Sequence, residues 1–382
     1  MDISSLRAAR RGVATLFFGL GFAYANWLAR MPAVRDNLQL NDRQLGLLLL
    51  SSGIGALVAF RMAGFFLRVF DSRVVAAVGC AVFGQLLFVP AWTRYPLLAS
   101  LALFVAGWFN GLMDVAINSQ AVDVENRLQT PILASLHGFF SLGGLAGASC
   151  GALAASLDIP PPVHLFVVGF LQALGSWWAG TCLLPDEVRH GAPKGEKKTK
   201  PPRALYFLGS IAFCSAVGEG GMAEWTAIYL RDALHTSMGM AGVGYALFSL
   251  AMVISRLVGD GLTRATQPTV LLARSGTLAA AGLAFGLAFE TPWTFCLGLL
   301  ATGMGLAMVV PVVLRLAIRV PNVRASQALS KISTIGYCGF LFGPPLIGLW
   351  SESFSLRSGL FLIVLMSAGI ALLARYAHAK LA

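Results

Sequence analysis

The sequence predicts an all-α integral membrane protein with twelve transmembrane helices in two pseudo-symmetric six-helix bundles. Three observations predict it. Of 382 residues, 57% are hydrophobic and only 12% are charged, whereas soluble domains carry about a quarter charged residues. The apolar residues fall into runs of roughly 20, each about long enough to cross a ~30 Å hydrocarbon core. The chain also repeats itself across a short polar segment.

The runs follow in order. The first span, 12–32, starts just after Arg7, Arg10 and Arg11. It is too long for the apolar core of a cleaved leader and lacks an obvious small-residue cleavage site, so it reads as a retained helix. Spans 44–66 and 74–92 flank a loop holding Arg68, Asp71 and Arg73. Span 96–121 enters at Pro96, span 131–155 begins at Pro131, and span 163–184 closes the first half. The second half supplies 204–230, 239–262, 268–289, 292–318, 326–350 and 357–377.

Residues 185–203 (PDEVRHGAPKGEKKTKPPR) are polar, rich in Lys and Pro, and too short to fold alone. The expected organisation is an N-terminal bundle (1–184), this basic cytoplasmic linker (185–203) and a C-terminal bundle (204–382). The repeat supports it. Asn26-Trp27 followed by Arg35-Asp36 is echoed by Glu224-Trp225 followed by Arg231-Asp232, Arg61 and Gly64 by Arg256 and Gly259, and Gly143 and Gly147 by Gly339 and Gly343.

Placing both termini in the cytoplasm leaves all but six of the 28 Lys and Arg residues on that side, the exceptions being Arg30, Arg35, Arg43, Arg94, Arg231 and Arg357. That is the bias expected of cytoplasmic loops. The net charge of +11 is therefore a topology signal and a match to anionic lipid headgroups, not a nucleic-acid footprint. The expected location is the cell membrane, the inner membrane if the source is bacterial. The six cysteines stand singly on different spans without a CxxC or Cys/His cluster, and read as small packing residues, with no metal or cofactor expected. Walker A and HExxH motifs are absent, so no enzyme is expected.

Ionisable groups inside such helices are costly and are kept where they pair or line a watery path. Asp114, Glu219 and Glu224 are in that position. Asn110, Asp114 and Asn118 recur every four residues and share one stripe of helix 4. Asp114 reads as a substrate or proton ligand, or as the structural partner of a basic residue such as Arg127. His137, roughly 9 Å into helix 5 at 1.5 Å per residue, could pair with Asp114 and relay a proton, or be a structural histidine. Glu219 lies midway along helix 7 beside Gly218, Gly220 and Gly221, which are expected to weaken the helix and expose the carboxylate. The alternative is a permanent ion pair with an arginine. Glu224, near Arg30, Arg35 and Arg231 in the topology, belongs either to an outer gate or to a solvated rim. Tyr24, Asn26, Trp27, Trp225 and Gln172 either line a cavity, offering hydrogen bonds and a stacking face, or pack between helices. Gly143, Gly147 and Gly151 are expected to admit close helix contact.

Over essentially the whole chain this arrangement resembles the major facilitator superfamily. GLMDVAINSQAVDVE (111–125), ASLHGFFSLGGLAGA (134–148), EGGMAEWTAIYLRD (219–232), RLVGD (256–260) and GYCGFLFGPPLIG (336–348) look like its bacterial inner-membrane YbjJ-type branch. The helix 4 element Gly111-x-x-Asp114-x-x-x-Asn118 is similar to the G-x-x-E-x-x-x-N pattern of the fucose permease group of proton-coupled sugar carriers. The resemblance implies gating residues at the 2–3 and 8–9 loops, here Arg61, Asp71 and Arg73 in the first half and Arg256 and Asp260 in the second. The first-half signature is displaced, since Arg68 stands where the family has Asp. The antiporter G-P step is missing from helix 5, because Ala148 follows Gly147, and helix 1 carries Asn26 where the fucose permease has a carboxylate.

The function expected is that of a monomeric secondary carrier that rocks two bundles around a central site. It moves a small sugar-like solute or sugar acid together with protons, through Glu219 and Asp114, in contact with membrane lipids. Two alternatives stay open: an exporter of small hydrophobic or drug-like compounds, and a non-transporting membrane sensor on a carrier scaffold.

Overall fold

A computed structural model describes residues 3–129, 132–186, 202–317, 320–321, 323 and 325–381, and every regular element among them is helical. In chain order these are α1 (Ile3–Ala29), α2 (Met31–Asn37), α3 (Asp42–Val69), α4 (Ser72–Leu86), α5 (Val89–Trp92), α6 (Pro96–Leu128), α7 (Leu133–Ser156) and α8 (Pro161–Cys182). Then come α9 (Arg203–Ile228), continued by a wider π turn over Tyr229–Ala233, and α10 (Met238–Ala265), α11 (Pro268–Phe289), α12 (Pro292–Leu306), α13 (Val309–Ala317), α14 (Ala325–Ser353) and α15 (Leu356–Leu381). Among the described residues twelve helical stretches are long and apolar enough to cross a membrane, with α4–α5 and α12–α13 each acting as one interrupted span. The bulk of the linker, 187–201, lies outside the described residues.

Three boundaries differ from expectation, each for a local reason. The first span takes Arg7, Arg10 and Arg11 into α1, stops at Ala29 and restarts as α2, whose first turn holds Pro32. Proline suits a first helical turn and cannot continue a helix. Helix α6 runs on to Leu128 and stops where Gln129 turns left-handed at φ 53°. Arg127 is thus helical rather than a loop residue, and Glu125 accepts a hydrogen bond from the Ile132 amide (2.7 Å) at the start of α7. Helix α9 passes through Gly218, Gly220 and Gly221 without a break. The expected interruption at Glu219 is absent, because the glycines face Leu306, Phe340, Ile347 and Ile363, which occupy the space where side chains would be.

The contacts form two compact units, one of Met1–Leu40 with Leu48–Lys197, the other of Asn41–Leu47 with Lys198–Ala382. In the first, α1 packs on α7 and α8, and α4 on α6 and α8; in the second, α9 packs on α14 and α15, and α11 on α12 and α15. The same pairing therefore recurs in both. So does its cause. A methyl group added at Gly143 or Gly147 of α7 would strike the carbonyls of Phe18 or Phe22 in α1, and one at Gly339 or Gly343 of α14 would strike Phe213 or Val217 in α9. Small residues at these positions let the backbones meet.

Candidate functional site

In the second unit the polar groups gather around Glu219. Ser215 and Glu219 are four residues apart on one face of α9, and the Ser215 hydroxyl donates to Glu219 Oε1 at 3.4 Å. From α10, the Arg256 guanidinium comes within 4.0 Å of Glu219 Oε2. The carboxylate is the more sheltered partner, with its side chain 17% exposed against 37% for Arg256. Tyr245, one turn before Ser249, lies within Coulombic range of Glu219, Arg256 and Glu224. Tyr245, Ser249 and Arg256 are spaced four and seven along α10, so one face of that helix addresses the acidic face of α9. Arg256, expected only as a gating residue beside Asp260, thus reaches the coupling candidate itself. The Asp260 side chain lies outside the described residues.

In the first unit Asp114 is served from its own helix. Asn118 Nδ2 donates to the Asp114 side chain at 3.1 Å and to its backbone carbonyl at 2.8 Å. Asn110 completes the half-buried stripe. His137 is exposed, with its ring 5.0 Å from that of Phe17 on α1. Tyr24 is half-buried. Asn26 is buried, and its amide donates to the Phe22 carbonyl at 2.8 Å.

Of the residues read as either lining a cavity or packing between helices, three are packed. Trp27 is 2% exposed, Trp225 is 0% exposed and Gln172 is 6% exposed. Gln172 Nε2 donates to the Cys80 carbonyl at 2.9 Å, tying α8 to α4, and Trp225 Nε1 donates to the Pro344 carbonyl at 3.2 Å, tying α9 to α14. A side chain that closed off offers no stacking face. Arg30, close to Glu224 in the topology as part of an outer gate or a solvated rim, is buried and donates to the Ile159 carbonyl at 2.5 Å. Burial lowers its pKa and the nearby Asp158 charge partly offsets this.

The first-half gating residues form a different device. Asp71 accepts the backbone amide of Arg73 (2.9 Å) at the start of α4 and pairs with its guanidinium (2.8 Å). Burial works against the Asp71 charge, but the hydrogen bonds and charge of Arg73 prevail and hold its carboxyl below the usual range. Next to it, Asp186 accepts from the Ser72 amide (2.8 Å) and hydroxyl (2.6 Å), while buried Gln120 donates to Ser72 Oγ (2.6 Å) and the Leu184 carbonyl (2.8 Å) and accepts from the Leu184 amide (3.0 Å). Arg61 is exposed on α3. Sequence reasoning passed over Gln120 and Asp186, whose partners are remote in the chain. Ser215, Tyr245 and Ser249 were detectable from their spacing to Glu219 and Arg256.

The sequence profile described as Major Facilitator Superfamily matches residues 12–283 and 208–380. An uncharacterized transporter, y4wD, of Sinorhizobium fredii is 32% identical over 95% of this chain and 97% of its own. An uncharacterized MFS-type transporter of Yersinia pestis is 30% identical over 94% and 93%, and the membrane protein MosC of Rhizobium meliloti 33% identical over 94% and 88%. Among solved structures, the nucleoside transporter NupG superposes with a TM-score of 0.71 at 14% identity, covering 97% of this chain and 98% of that one. The MFS transporter FucP in its outward conformation gives 0.64 at 15% identity, covering 97% and 99%. At such identities the likeness concerns the fold.

Proposed function

Because the chain belongs to the Major Facilitator Superfamily and is a multi-pass membrane transporter rather than an enzyme, we propose that it carries a small polar, sugar-like solute or sugar acid in symport with protons, by alternating access. The observation that carries this reading is Glu219, a sheltered acid in a transmembrane helix with one oxygen on Ser215 and the other 4.0 Å from Arg256. In the ionised state Glu219 draws α9 and α10 together through Arg256. A proton taken up on Glu219 removes the negative charge and with it the attraction, so Arg256 is free to turn to another acceptor. Loss of the proton restores the pair. Protonation thereby changes what holds two helices together, which is what coupling to a gradient requires.

The polar stripe of Asn110, Asp114 and Asn118 supports a hydroxyl-rich solute, since its groups can exchange hydrogen bonds with hydroxyls, whereas an apolar solute would leave each displaced bond uncompensated at roughly 1–3 kcal/mol. That the fold also serves a nucleoside transporter is compatible with a small hydroxyl-bearing substrate. In this reading the chain is a YbjJ-type monomer whose N-terminal half is 1–184 and C-terminal half 204–382, joined by a cytoplasmic linker, with both termini in the cytoplasm.

A second reading, export of a small hydrophobic compound, is favoured by the burial of Gln172, which removes a polar group from the expected lining. A thermal-shift screen of purified protein against sugars, sugar acids and lipophilic cations separates the two, because a ligand of the folded state raises apparent stability. Stabilisation and pH-gradient-driven uptake of a polyhydroxylated compound support symport. A response confined to lipophilic cations replaces it with export.

A further inference from the structure

A groove of about 640 Å³ lies between α11 and α15, and none of its lining residues belongs to the Glu219 cluster. Its floor is one face of α11, where Val270, Ala273, Leu278 and Ala281 follow one another at helical spacing; Arg274 and Arg375 stand on its walls. Gly276 explains why the two helices run so close. A methyl group there would lie 2.7 Å from the Ser367 carbonyl and the Ala371 amide of α15. Arg375 is one turn beyond Ala371 and Arg274 two residues before Gly276, so the contact brings both guanidiniums to the same groove.

Among the described residues these arginines lack counter-charges. Neither α11 nor α15 contains an Asp or Glu, both arginines are exposed, and neither has an ion-pair partner among the described residues. A guanidinium at the flank of apolar helices is stabilised by an anion that it can grip in a bidentate fashion, and phosphate oxygens fit that geometry. The groove then continues along apolar surface. From Val270 to Ala281 it runs about 16 Å at 1.5 Å per residue, close to half of a ~30 Å hydrocarbon core.

We propose that this groove is a binding site for one anionic phospholipid, its phosphodiester held between Arg274 and Arg375 and one acyl chain laid along Val270, Ala273, Leu278 and Ala281. Two positive charges without acidic neighbours select a headgroup of net negative charge over a zwitterionic one. On the orientation proposed above the lipid belongs to the cytoplasmic leaflet, but the site itself does not depend on that orientation or on the transported solute.

Native mass spectrometry of the purified full-length protein, titrated with phosphatidylglycerol or with phosphatidylcholine of the same chains, tests this. The wild type should retain phosphatidylglycerol in preference to phosphatidylcholine, and Arg274→Gln/Arg375→Gln should bind it roughly thirtyfold more weakly, the effect of removing two interfacial arginines. Arg274→Lys/Arg375→Lys, which keeps both charges, should retain most of the preference and shows that the groove itself is intact. Equal retention of the two lipids by the wild type, or unchanged phosphatidylglycerol binding by the glutamine pair, overturns the proposal. So does full displacement of the lipid by millimolar inorganic phosphate, which would make the site one for a free anion.

Discussion

Asp114 on α6 and Glu219 on α9 are both carboxylates inside apolar helices, and the two halves of the molecule accommodate them in opposite ways. Asp114 is served by Asn118 one turn along the same helix. Glu219 takes one bond from Ser215 on its own helix and faces Arg256 on another. A carboxylate satisfied from its own helix travels with that helix and loses nothing when it moves. One that leans on a neighbouring helix makes the position of that helix depend on its charge. Under the proposed symport, the second half would be the one through which a proton does work and the first half the one that holds the solute.

The comparison breaks most visibly at Glu219 itself. Glu219→Gln should abolish accumulation driven by a pH gradient in proteoliposomes while solute exchange persists, and normal accumulation by this variant would remove Glu219 from the coupling step. Next comes its partner. Arg256→Gln should cost about 1–3 kcal/mol of stability, less than the loss of a fully buried pair because the Arg256 side chain is 37% exposed. Thermal unfolding of Glu219→Gln/Arg256→Gln should recover part of that cost, whereas strictly additive losses would mean that the two side chains do not interact.

Asp114→Asn should change stability by less than about 1 kcal/mol, since an amide also accepts from Asn118, yet weaken solute binding measurably. Combined with His137→Ala, its effect on binding should fall short of the sum of the single effects if the two groups act together; additivity would separate them. The smallest expected effect is at Asp71. Its carboxyl is held below the usual range, so its contribution is present above the ordinary carboxylate pKa of about 3.9 and fades as pH falls through the lowered value. The stability gap between wild type and Asp71→Asn should accordingly narrow in acid, and a gap independent of pH would assign it to the amide hydrogen bond alone.

What was legible in the sequence follows from which forces are local. A run of some twenty apolar residues meets the bilayer by length alone, so the spans around 268–289 and 292–318 agree with the helices closely. The state of α9 at Glu219 was not legible. Glycine weakens an isolated helix through backbone freedom and solvent access, but Gly218 and Gly221 are covered by Leu306, Ile347 and Ile363, and packing overrides propensity. For Trp27 and Trp225 the sequence left two readings open, because an aromatic beside a polar residue reads alike whether it faces a cavity or a neighbouring helix; both are buried. For Arg256, spacing points to Asp260 one turn on, whose side chain lies outside the described residues, and gives no sign of Glu219 on a different helix, which geometry brings within 4.0 Å.

The glycine contact between α1 and α7 has a mechanical side. Where Gly143 and Gly147 admit the carbonyls of Phe18 and Phe22, no layer of side chains separates the two backbones, and so nothing between them can shear or change rotamer. The pair behaves as a single strut. At one end His137 of α7 rests against Phe17 of α1; about 20 Å on, at 1.5 Å per residue, Arg30 just past the end of α1 grips the Ile159 carbonyl. A bulky side chain wedged in at Gly147, where even a methyl group would strike the Phe22 carbonyl, would force the two backbones apart.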